Sequence, residues 1–240
     1  MQAIILAGGK GERLGPLTQE VPKPIILLGQ EPFCHYQIEL LKTYGIKDII
    51  FSVGYLRDKI KSLLGDGNKL GVDIRYAIED NPLGTAGAIK KSAQFLESDS
   101  SFLVLNGDVL TDMNLIKLIE FHHQKKAQVT ISLARAIDKK SFGHVDADNE
   151  GKIKEFCEKT ETLSGSDFVN AGIYVMETKV LGEIPPGISY SFEKDFIPSL
   201  IKKDIPVYGF KTSCYWLDIG EPSRYKKAQK DISKLFPPNK

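Results

Sequence analysis

Near the amino terminus, the segment "LAGGKGERLGPLTQEVPKP" concentrates glycines and cations directly after an apolar run. Gly8, Gly9 and Gly11 lack a Cβ, so the backbone there can take a positive φ and approach a ligand closely. Successive amides in such a loop form a concavity that binds anions, polyphosphates above all. Arg13 and Lys23 add two cations, and a proline on each side of Lys23 holds it on a stiff segment. These residues predict a local phosphate-binding site.

The loop differs from two common phosphate-binding patterns. A P-loop has Lys followed by Ser or Thr after its last glycine, and that pair is missing here. The dinucleotide fingerprint has a third glycine where this chain has Leu14. The spacing therefore disfavours a nicotinamide dehydrogenase. No Ser/His/Asp or Cys/His arrangement suggests a nucleophilic side chain either.

Two aspartates are candidates for binding a metal ion. Asp108 follows an apolar run in "LNGDV", and a carboxylate at the end of a parallel strand can hold Mg²⁺. Taken alone, such an aspartate is more often a helix cap. Asp218 lies between Leu217 and Ile219 in an apolar run, where a carboxylate is costly unless a cation or hydrogen-bond donors face it.

Strand and helix patterns alternate through the first half of the chain. Strands are predicted at 2–7, 48–53, 72–78, 101–108 and 128–135, and helices at 32–44, 56–65, 85–96 and 113–126. This alternation predicts an open, mostly parallel sheet that helices cover on both faces. Ligands of such sheets bind beyond the carboxyl ends of the strands. The loops expected to carry the chemistry therefore follow residues 7, 53, 78 and 106.

The second half has a different pattern. Two strands around an Asp-Asn-Glu-Gly turn are predicted over 144–159, with a further strand at 168–176. The later elements are a helix at 190–203, strands at 205–210 and 214–219, and a helix at 222–232. This half is expected to add a small hairpin-rich lobe at the sheet edge, and the tail over 235–240 is expected to fray.

Composition excludes several classes of protein. The 240 residues are 42% hydrophobic and 26% charged, with a formal net charge of +1, which is typical of one globular domain without a strong attraction for nucleic acid or membranes. No signal peptide or 18-residue apolar stretch is evident, so a cytoplasmic protein is expected. The three cysteines, Cys34, Cys157 and Cys214, are widely spaced and are expected to be reduced thiols.

With these residues in hand, the chain resembles the sugar-1-phosphate nucleotidylyltransferases, whose signature combines GGxGxRLxPLT with a Pro-Lys-Pro element. The resemblance continues through "NPLGTAGAI", "LNGDVL", "FCEKT", "FVNAGIY" and "YWLDIG". It implies one catalytic domain with a Rossmann-like mixed sheet, a nucleotide-binding half over about 1–110 and a sugar-binding half over about 111–234. Many members carry a further carboxy-terminal β-helix, and this chain is expected to be the short form without it.

The resemblance also assigns roles to residues. Arg13, Lys23 and Asp108 would be catalytic, the two cations stabilising the triphosphate and the departing pyrophosphate, and Asp108 and Asp218 would bind Mg²⁺. The implied nucleotide-binding residues are Leu6, Ala7, Gly8, Gly9, Gly11, Glu79, Pro82, Gly84 and Thr85. The implied sugar-phosphate-binding residues are Gly107, Gly143, Glu158, Lys159, Asn170 and Gly172. Thr160 stands where the family's Glu-Lys-Pro element has its proline.

Glu79 bears on the choice of base. It stands where the family often has a glutamine that reads thymine or uracil. A carboxylate only accepts hydrogen bonds, so it suits the ring N–H and amino group of guanine better. A neighbouring side chain or a backbone group could read the base instead. The "PLGTAGAI" segment is similar to the mannose-1-phosphate and heptose-1-phosphate guanylyltransferase branch.

The expected activity is Mg²⁺-dependent transfer of a nucleoside monophosphate from a triphosphate, GTP in preference, to mannose or heptose 1-phosphate. Such an enzyme would serve nucleotide sugar and cell-envelope polysaccharide biosynthesis, and a homodimer is left open. A UTP- or dTTP-dependent glucose-1-phosphate enzyme is the alternative. Molybdopterin or isoprenoid nucleotidyltransferases share the glycine loop but lack the Pro-Lys-Pro and Glu-Lys elements. An inactive regulatory subunit is disfavoured because the charged set is complete.

Overall fold

A computed structural model of the chain describes residues 1–135, 144–157 and 168–236. Its strands are β1 (Gln2–Ala7), β2 (Leu27–Leu28), β3 (Glu31–Pro32), β4 (Asp48–Val53), β5 (Asp73–Ile78), β6 (Ser101–Asn106), β7 (Val109–Thr111), β8 (Val129–Arg135), β9 (His144–Ala147), β10 (Ile153–Cys157), β11 (Phe168–Glu177), β12 (Val207–Thr212) and β13 (Trp216–Asp218). Its α-helices are α1 (Phe33–Thr43), α2 (Arg57–Leu64), α3 (Gly84–Ser92), α4 (Leu115–Lys125), α5 (Ile197–Lys202) and α6 (Pro222–Leu235).

Nine of the described strands form one mixed sheet. Strands β5, β4, β1 and β6 are neighbours in that order and run parallel. Strand β11 pairs antiparallel with β6 and with β8, and β12 then pairs parallel with β8. The β9–β10 hairpin joins β11 through a bridge between Val169 and His144. The α/β fold with a mixed sheet that the sequence predicts is confirmed.

Both faces of the sheet are buried, which explains why β1 is apolar at nearly every position. Ala3 and Ile5 belong to the core under α1, α2 and α4, whereas Ile4 belongs to the core under α3 and α5. Each fully buried isoleucine or leucine contributes on the order of 1.5–3 kcal/mol relative to an exposed one. A parallel strand between two helical layers therefore shows no polar alternation.

Strand β11 carries a bulge beside the end of β6. Asn170 pairs with Leu133 of β8 and Tyr174 with Ile131, so the register shifts between them. Gly172 lies within this bulge at φ +73°, and a Cβ there would lie 2.7 Å from the Asn106 amide nitrogen. The bulge therefore requires a glycine, and bulges of this kind often lie beside functional sites.

The carboxy-terminal part folds back onto the first half. Strand β13 pairs antiparallel with β7, which places Asp218 opposite Val109. Helix α6 packs beneath this pair in a small core that includes Leu217 and Ile232. Two elements remote in sequence thus meet at the end of β6.

Element positions agree with the sequence to within a few residues, with two kinds of difference. The two- and three-residue strands β2, β3 and β7 were not predicted, since they are too short to show a period. The helix expected over 190–203 consists of a π-helical turn, Phe192–Phe196, followed by α5. None of the described helices combines the length and apolar character needed to span a bilayer.

Candidate active site

The carboxyl ends of β1, β4, β5 and β6 open into a cleft of about 530 Å³. All four loops expected to carry chemistry contribute to it. The site residues predicted from the sequence that line it are Leu6, Ala7, Gly8, Gly9, Lys23, Glu79, Pro82, Gly84, Thr85, Gly107 and Asp108. Lining residues to which the sequence assigned no role in ligand binding are Lys10, Pro24, Gly54, Tyr55, Arg57, Asp80, Ala88 and Asn106.

The remaining predicted residues divide into two groups. Those that the structure describes outside the cleft lining are Gly11, Arg13, Asn170, Gly172 and Asp218. Gly143, Glu158, Lys159 and the neighbouring Thr160 lie outside the described residues.

The glycine loop leaves β1 under tight local constraints. Gly11 takes φ +68° before a 3-10 segment, Glu12–Thr18, and the Thr18 hydroxyl donates to the Gly11 carbonyl at 2.9 Å. The Tyr55 amide donates to the Gly8 carbonyl at 3.3 Å, so the loops after β1 and β4 are held together. The backbone of Gly8 and Gly9 is therefore presented directly to the cleft.

The end of β6 is held against β1. The Gly107 amide donates to the Leu6 carbonyl at 2.9 Å, and a Cβ on Gly107 would lie only 2.3 Å from that oxygen. From α1, the Gln37 side-chain amide donates to the carbonyls of Asn106 and Val109, at 2.9 and 3.2 Å. Because both sides of Asp108 are fixed, its carboxylate has a defined position.

Lys23 and Asp108 form an ion pair inside the cleft. Lys23 follows Pro22, whose extended backbone leads into a short 3-10 turn, Lys23–Ile25. The Lys23 Nζ lies 2.6 Å from Asp108 Oδ2, and each side chain is only 16% exposed. The cation and the carboxylate that the sequence assigned to phosphate and metal thus contact each other directly.

Asp218 reaches the same place from β13. The Ile219 amide donates to the Asp108 carbonyl at 2.9 Å, which joins the two segments. A Cβ on Gly220 would lie 2.7 Å from Asp218 Oδ1 and 3.5 Å from Asp108 Oδ2, so both carboxylates border one small space. Burial first, and then the Asp108 carboxylate, raise the pKa of Asp218 above its ordinary value.

This donor set fits a hard divalent cation. Within residues 1–135, 144–157 and 168–236, no group of three or more His, Cys, Asp or Glu side chains could hold a metal ion. Mg²⁺ is nevertheless often bound by one or two carboxylates, with substrate phosphates and waters as its other ligands. Asp108 and Asp218 provide such a pair, and a cation between them would relieve their repulsion.

Two charged residues on α6 and just before it complete the surroundings of Arg13. Arg13 Nη1 lies 3.4 Å from Glu221 Oε1, and Arg224 Nη2 lies 3.2 Å from the same oxygen. Arg224 Nε also donates to the Asp218 carbonyl at 2.9 Å. Glu221 and Arg224 were missed because charges at the start of a helix usually face solvent, and only the docking of α6 brings them here.

Glu79 lies at the opposite end of the cleft. Its carboxylate accepts from the Ser52 hydroxyl at 2.9 Å and from the Leu83 amide at 3.3 Å. A Cβ on Gly8 would lie 2.6 Å from Glu79 Oε1, so the carboxylate packs on the glycine loop. These contacts orient Glu79 and leave it acceptor sites for a ligand, since an ionised carboxylate has about four.

The bulge in β11 meets the end of β6 behind the cleft. The Asn170 side-chain amide donates to the Tyr174 hydroxyl at 3.0 Å, and burial raises the pKa of Tyr174 well above its ordinary value. Within the described part of the chain, Asn106 Oδ1 is buried without a hydrogen-bond partner. From β13, the Trp216 indole N–H donates to the Ala171 carbonyl at 2.7 Å.

A mixed sheet with a glycine loop and paired charges at its parallel strand ends defines a class of nucleotide-handling α/β proteins. The sequence model of the nucleotidyl transferase family matches residues 2–234, and the chain belongs to this family. It is 37% identical to mannose-1-phosphate guanylyltransferase of Mycobacterium tuberculosis, over 100% of this chain and 66% of the relative. It is 36% identical to UTP–glucose-1-phosphate uridylyltransferase of a Synechocystis strain, over 97% and 63%.

The chain thus spans slightly less than two thirds of the length of these two relatives. The crystal structure of HddC from Yersinia pseudotuberculosis superposes with a TM-score of 0.84 at 32% identity, covering 96% of this chain and 99% of that one. The family resemblance drawn from the sequence motifs is confirmed.

Proposed function

We propose that the chain transfers a guanylyl group from GTP to a hexose or heptose 1-phosphate of the mannose type and releases pyrophosphate. The observation that carries this proposal is the Lys23–Asp108 ion pair beside Asp218, in a cleft that the glycine loop lines. A cation, two carboxylates and the backbone amides of a glycine loop are suited to polyphosphate chemistry. Membership in the nucleotidyl transferase family supports the reaction class.

The proposed chemistry needs no protein nucleophile. A phosphate oxygen of the sugar 1-phosphate attacks the α-phosphorus of GTP in line, a new P–O bond forms, and the bond to pyrophosphate breaks. Positioning and charge neutralisation then account for catalysis, as is usual in phosphoryl transfer. Lys23 and Arg13 would stabilise the charge that develops on the phosphates.

Asp108 and Asp218 would hold Mg²⁺, which when bound would neutralise phosphate charge and orient the α-phosphate. In the structure, Lys23 neutralises Asp108. Lys23 would therefore exchange the Asp108 carboxylate for a phosphate oxygen when the nucleotide binds. This exchange predicts that nucleotide and metal bind together rather than metal alone.

The base preference rests on Glu79. Its carboxylate lines the cleft and can accept from guanine N1–H and the 2-amino group, whereas uracil offers a single ring N–H. The M. tuberculosis relative is named a guanylyltransferase, which supports this choice. The uridylyltransferase of similar identity makes UTP with glucose 1-phosphate the second candidate.

The domain would be a single catalytic unit, with nucleotide bound within about 1–110 and sugar within about 111–234. Gly143, Glu158, Lys159, Asn170 and Gly172 would then contribute to the sugar phosphate site. We also propose that the enzyme acts in the cytoplasm, where its small-molecule substrates would be made.

A substrate panel tests the proposal. Four nucleoside triphosphates are combined with mannose, heptose and glucose 1-phosphates, with and without Mg²⁺, and pyrophosphate release is measured. We expect Mg²⁺-dependent turnover that is fastest with GTP and a mannose-type sugar phosphate. Faster turnover with UTP or dTTP would overturn the base assignment, and no pyrophosphate from any pair would overturn the reaction class.

A further inference from the structure

We propose that Arg57 selects guanine by donating hydrogen bonds to its O6 and N7 atoms, a specificity role that rests on the proposed GTP-dependent function. Arg57 is the first residue of α2 and lines the cleft on the side of Glu79 and Asp80. The sequence motifs gave no reason to single it out.

The backbone before Arg57 is held in an uncommon conformation. Leu56 takes φ +50°, one of few non-glycine residues with a positive φ among those described, and it directly follows two cleft-lining residues, Gly54 and Tyr55. Left-handed leucines are rare and are often found where a structure needs a particular side-chain position. Here the left-handed turn begins α2 at the cleft, so that Arg57 borders the ligand space.

Glu79 accounts for only part of a guanine. Its acceptor oxygens match N1–H and the 2-amino group, so O6, next to N1, and N7, next to O6, still need donors. The cationic side chains in the described cleft lining are Lys10, Lys23 and Arg57. Lys23 is paired with Asp108 at the other end of the cleft, and Lys10 extends from the glycine loop. Arg57 is therefore the cation on the Glu79 side.

Arg57 also has suitable chemistry and support. A guanidinium fork matches the paired O6 and N7 acceptors, whereas adenine shows an amino donor in place of O6. Asp80, which directly follows Glu79, accepts a hydrogen bond from Arg57 Nη1 at 2.7 Å, so the guanidinium lies on the side of the cleft that carries Glu79. Glu79 and Arg57 together would thus favour GTP over both UTP and ATP.

The decisive experiment compares GTP with 7-deazaguanosine triphosphate, which lacks the N7 acceptor but keeps every group that Glu79 would read. kcat/KM for both nucleotides, for ITP and for ATP is measured in the wild type, Arg57→Met, Arg57→Lys and Lys59→Met. Lys59 is the matched control, because it lies on the same helix but donates to the Glu20 carbonyl and does not line the cleft.

We expect the wild type to use 7-deaza-GTP about tenfold less efficiently than GTP. In Arg57→Met that ratio should approach one, with GTP reduced and the preference over ATP diminished. Arg57→Lys should be intermediate, and Lys59→Met should match the wild type. ITP lacks the 2-amino group, so the drop in kcat/KM from GTP to ITP reports on that group. This drop should persist in Arg57→Met.

An unchanged 7-deaza penalty in Arg57→Met, or no penalty in the wild type, would overturn the assignment. A wild type that prefers UTP would also overturn it while leaving the reaction class intact. If no pyrophosphate is released from any substrate, the proposed function fails. In that case, the affinities of the same variants for GTP and 7-deaza-GTP are measured at equilibrium. A penalty for 7-deaza-GTP that Arg57→Met does not change would overturn the role of Arg57.

Discussion

The two ends of the strands in the main sheet, called here its amino-terminal edge and its carboxyl edge, hold polar side chains in very different states. At the amino-terminal edge, near the start of β6 and β8, His122 is 1% exposed and both ring nitrogens have partners: Thr130 at 2.8 Å and Glu177 at 3.1 Å. At the carboxyl edge, Asp108 and Asp218 crowd together. Among the residues that the structure describes, no hydrogen-bond partner is found for the buried Asn106 Oδ1 at this edge.

The difference separates a structural cluster from the proposed binding site. A buried polar group with satisfied hydrogen bonds stabilises one conformation, whereas crowded like charges and an unsatisfied acceptor cost free energy until a ligand arrives. Lys23 and Arg224 offset part of this cost, through contacts of 2.6 Å to Asp108 and 3.7 Å to Asp218. On the proposed function, bound nucleotide and metal would offset the rest. The following changes test that contrast, beginning with the largest effect.

Lys23→Met should reduce turnover about a hundredfold or more, because it removes the cation that is proposed to stabilise the phosphates. Lys152→Met is the matched control, since Lys152 forms a 2.8 Å ion pair with Asp204 on the surface. We would measure steady-state pyrophosphate release for both variants and check their folding by circular dichroism. Equal activities would remove Lys23 from the site.

Glu79→Gln should move the ratio of kcat/KM values about tenfold away from GTP and toward UTP, because an amide both accepts and donates. Competition between the two triphosphates in one reaction gives the ratio directly. A fixed ratio would leave base reading to the backbone or to other side chains.

Asp218→Asn should abolish most turnover yet raise the melting temperature of the ligand-free protein. Because burial and Asp108 raise the pKa of Asp218, the folded state binds the proton more tightly than the unfolded state does. The stability that protonated Asp218 contributes is present at low pH. It is lost as pH rises from about 4, near the unfolded pKa, through the raised pKa of Asp218 in the folded state.

The stabilisation by Asp218→Asn should therefore grow with pH and then level off. Each kcal/mol corresponds to about 2–4 °C for a chain of this size. Melting curves from pH 4 to 8 without metal would test it. A variant that melts below the wild type throughout would contradict the idea that this edge is electrostatically crowded.

The smallest effect on stability is expected for His122. Its contribution to stability should change with pH in the opposite direction to that of Asp218. Burial is the main cause that lowers the pKa of His122, so the unfolded state takes up its proton first on acidification. Stability should fall as pH drops from about 6.5 through the folded pKa. His122→Gln should flatten that part of a urea-unfolding pH profile, while His123→Gln, its neighbour, should keep it.

The sequence was informative where local patterns carry the information. Apolar runs of five or six residues separated by helical patterns located the parallel strands, and the carboxyl-end rule then indicated the four cleft loops. The position of Arg57 at the cleft could not be predicted in the same way. Whether a charge on the first turn of a helix faces solvent or a cleft depends on how that helix docks.

Contacts between distant segments were the other limit. The β7–β13 pair joins segments more than a hundred residues apart, and each strand has three residues, too few for a period. From the sequence, only the family resemblance predicted that Asp108 and Asp218 belong to one site. The Lys23–Asp108 contact was missed because the same resemblance assigned the two side chains to different ligands.

Trp216 has a practical consequence for spectroscopy. It is the only tryptophan in the chain, it lies two residues before Asp218, and its indole N–H is bonded to the β11 bulge. Any rearrangement at the Asp108 and Asp218 carboxylates or at the bulge would alter the surroundings of one emitting ring. Intrinsic fluorescence at a single excitation wavelength could therefore report nucleotide and metal binding in stopped-flow time courses, without a label and without turnover.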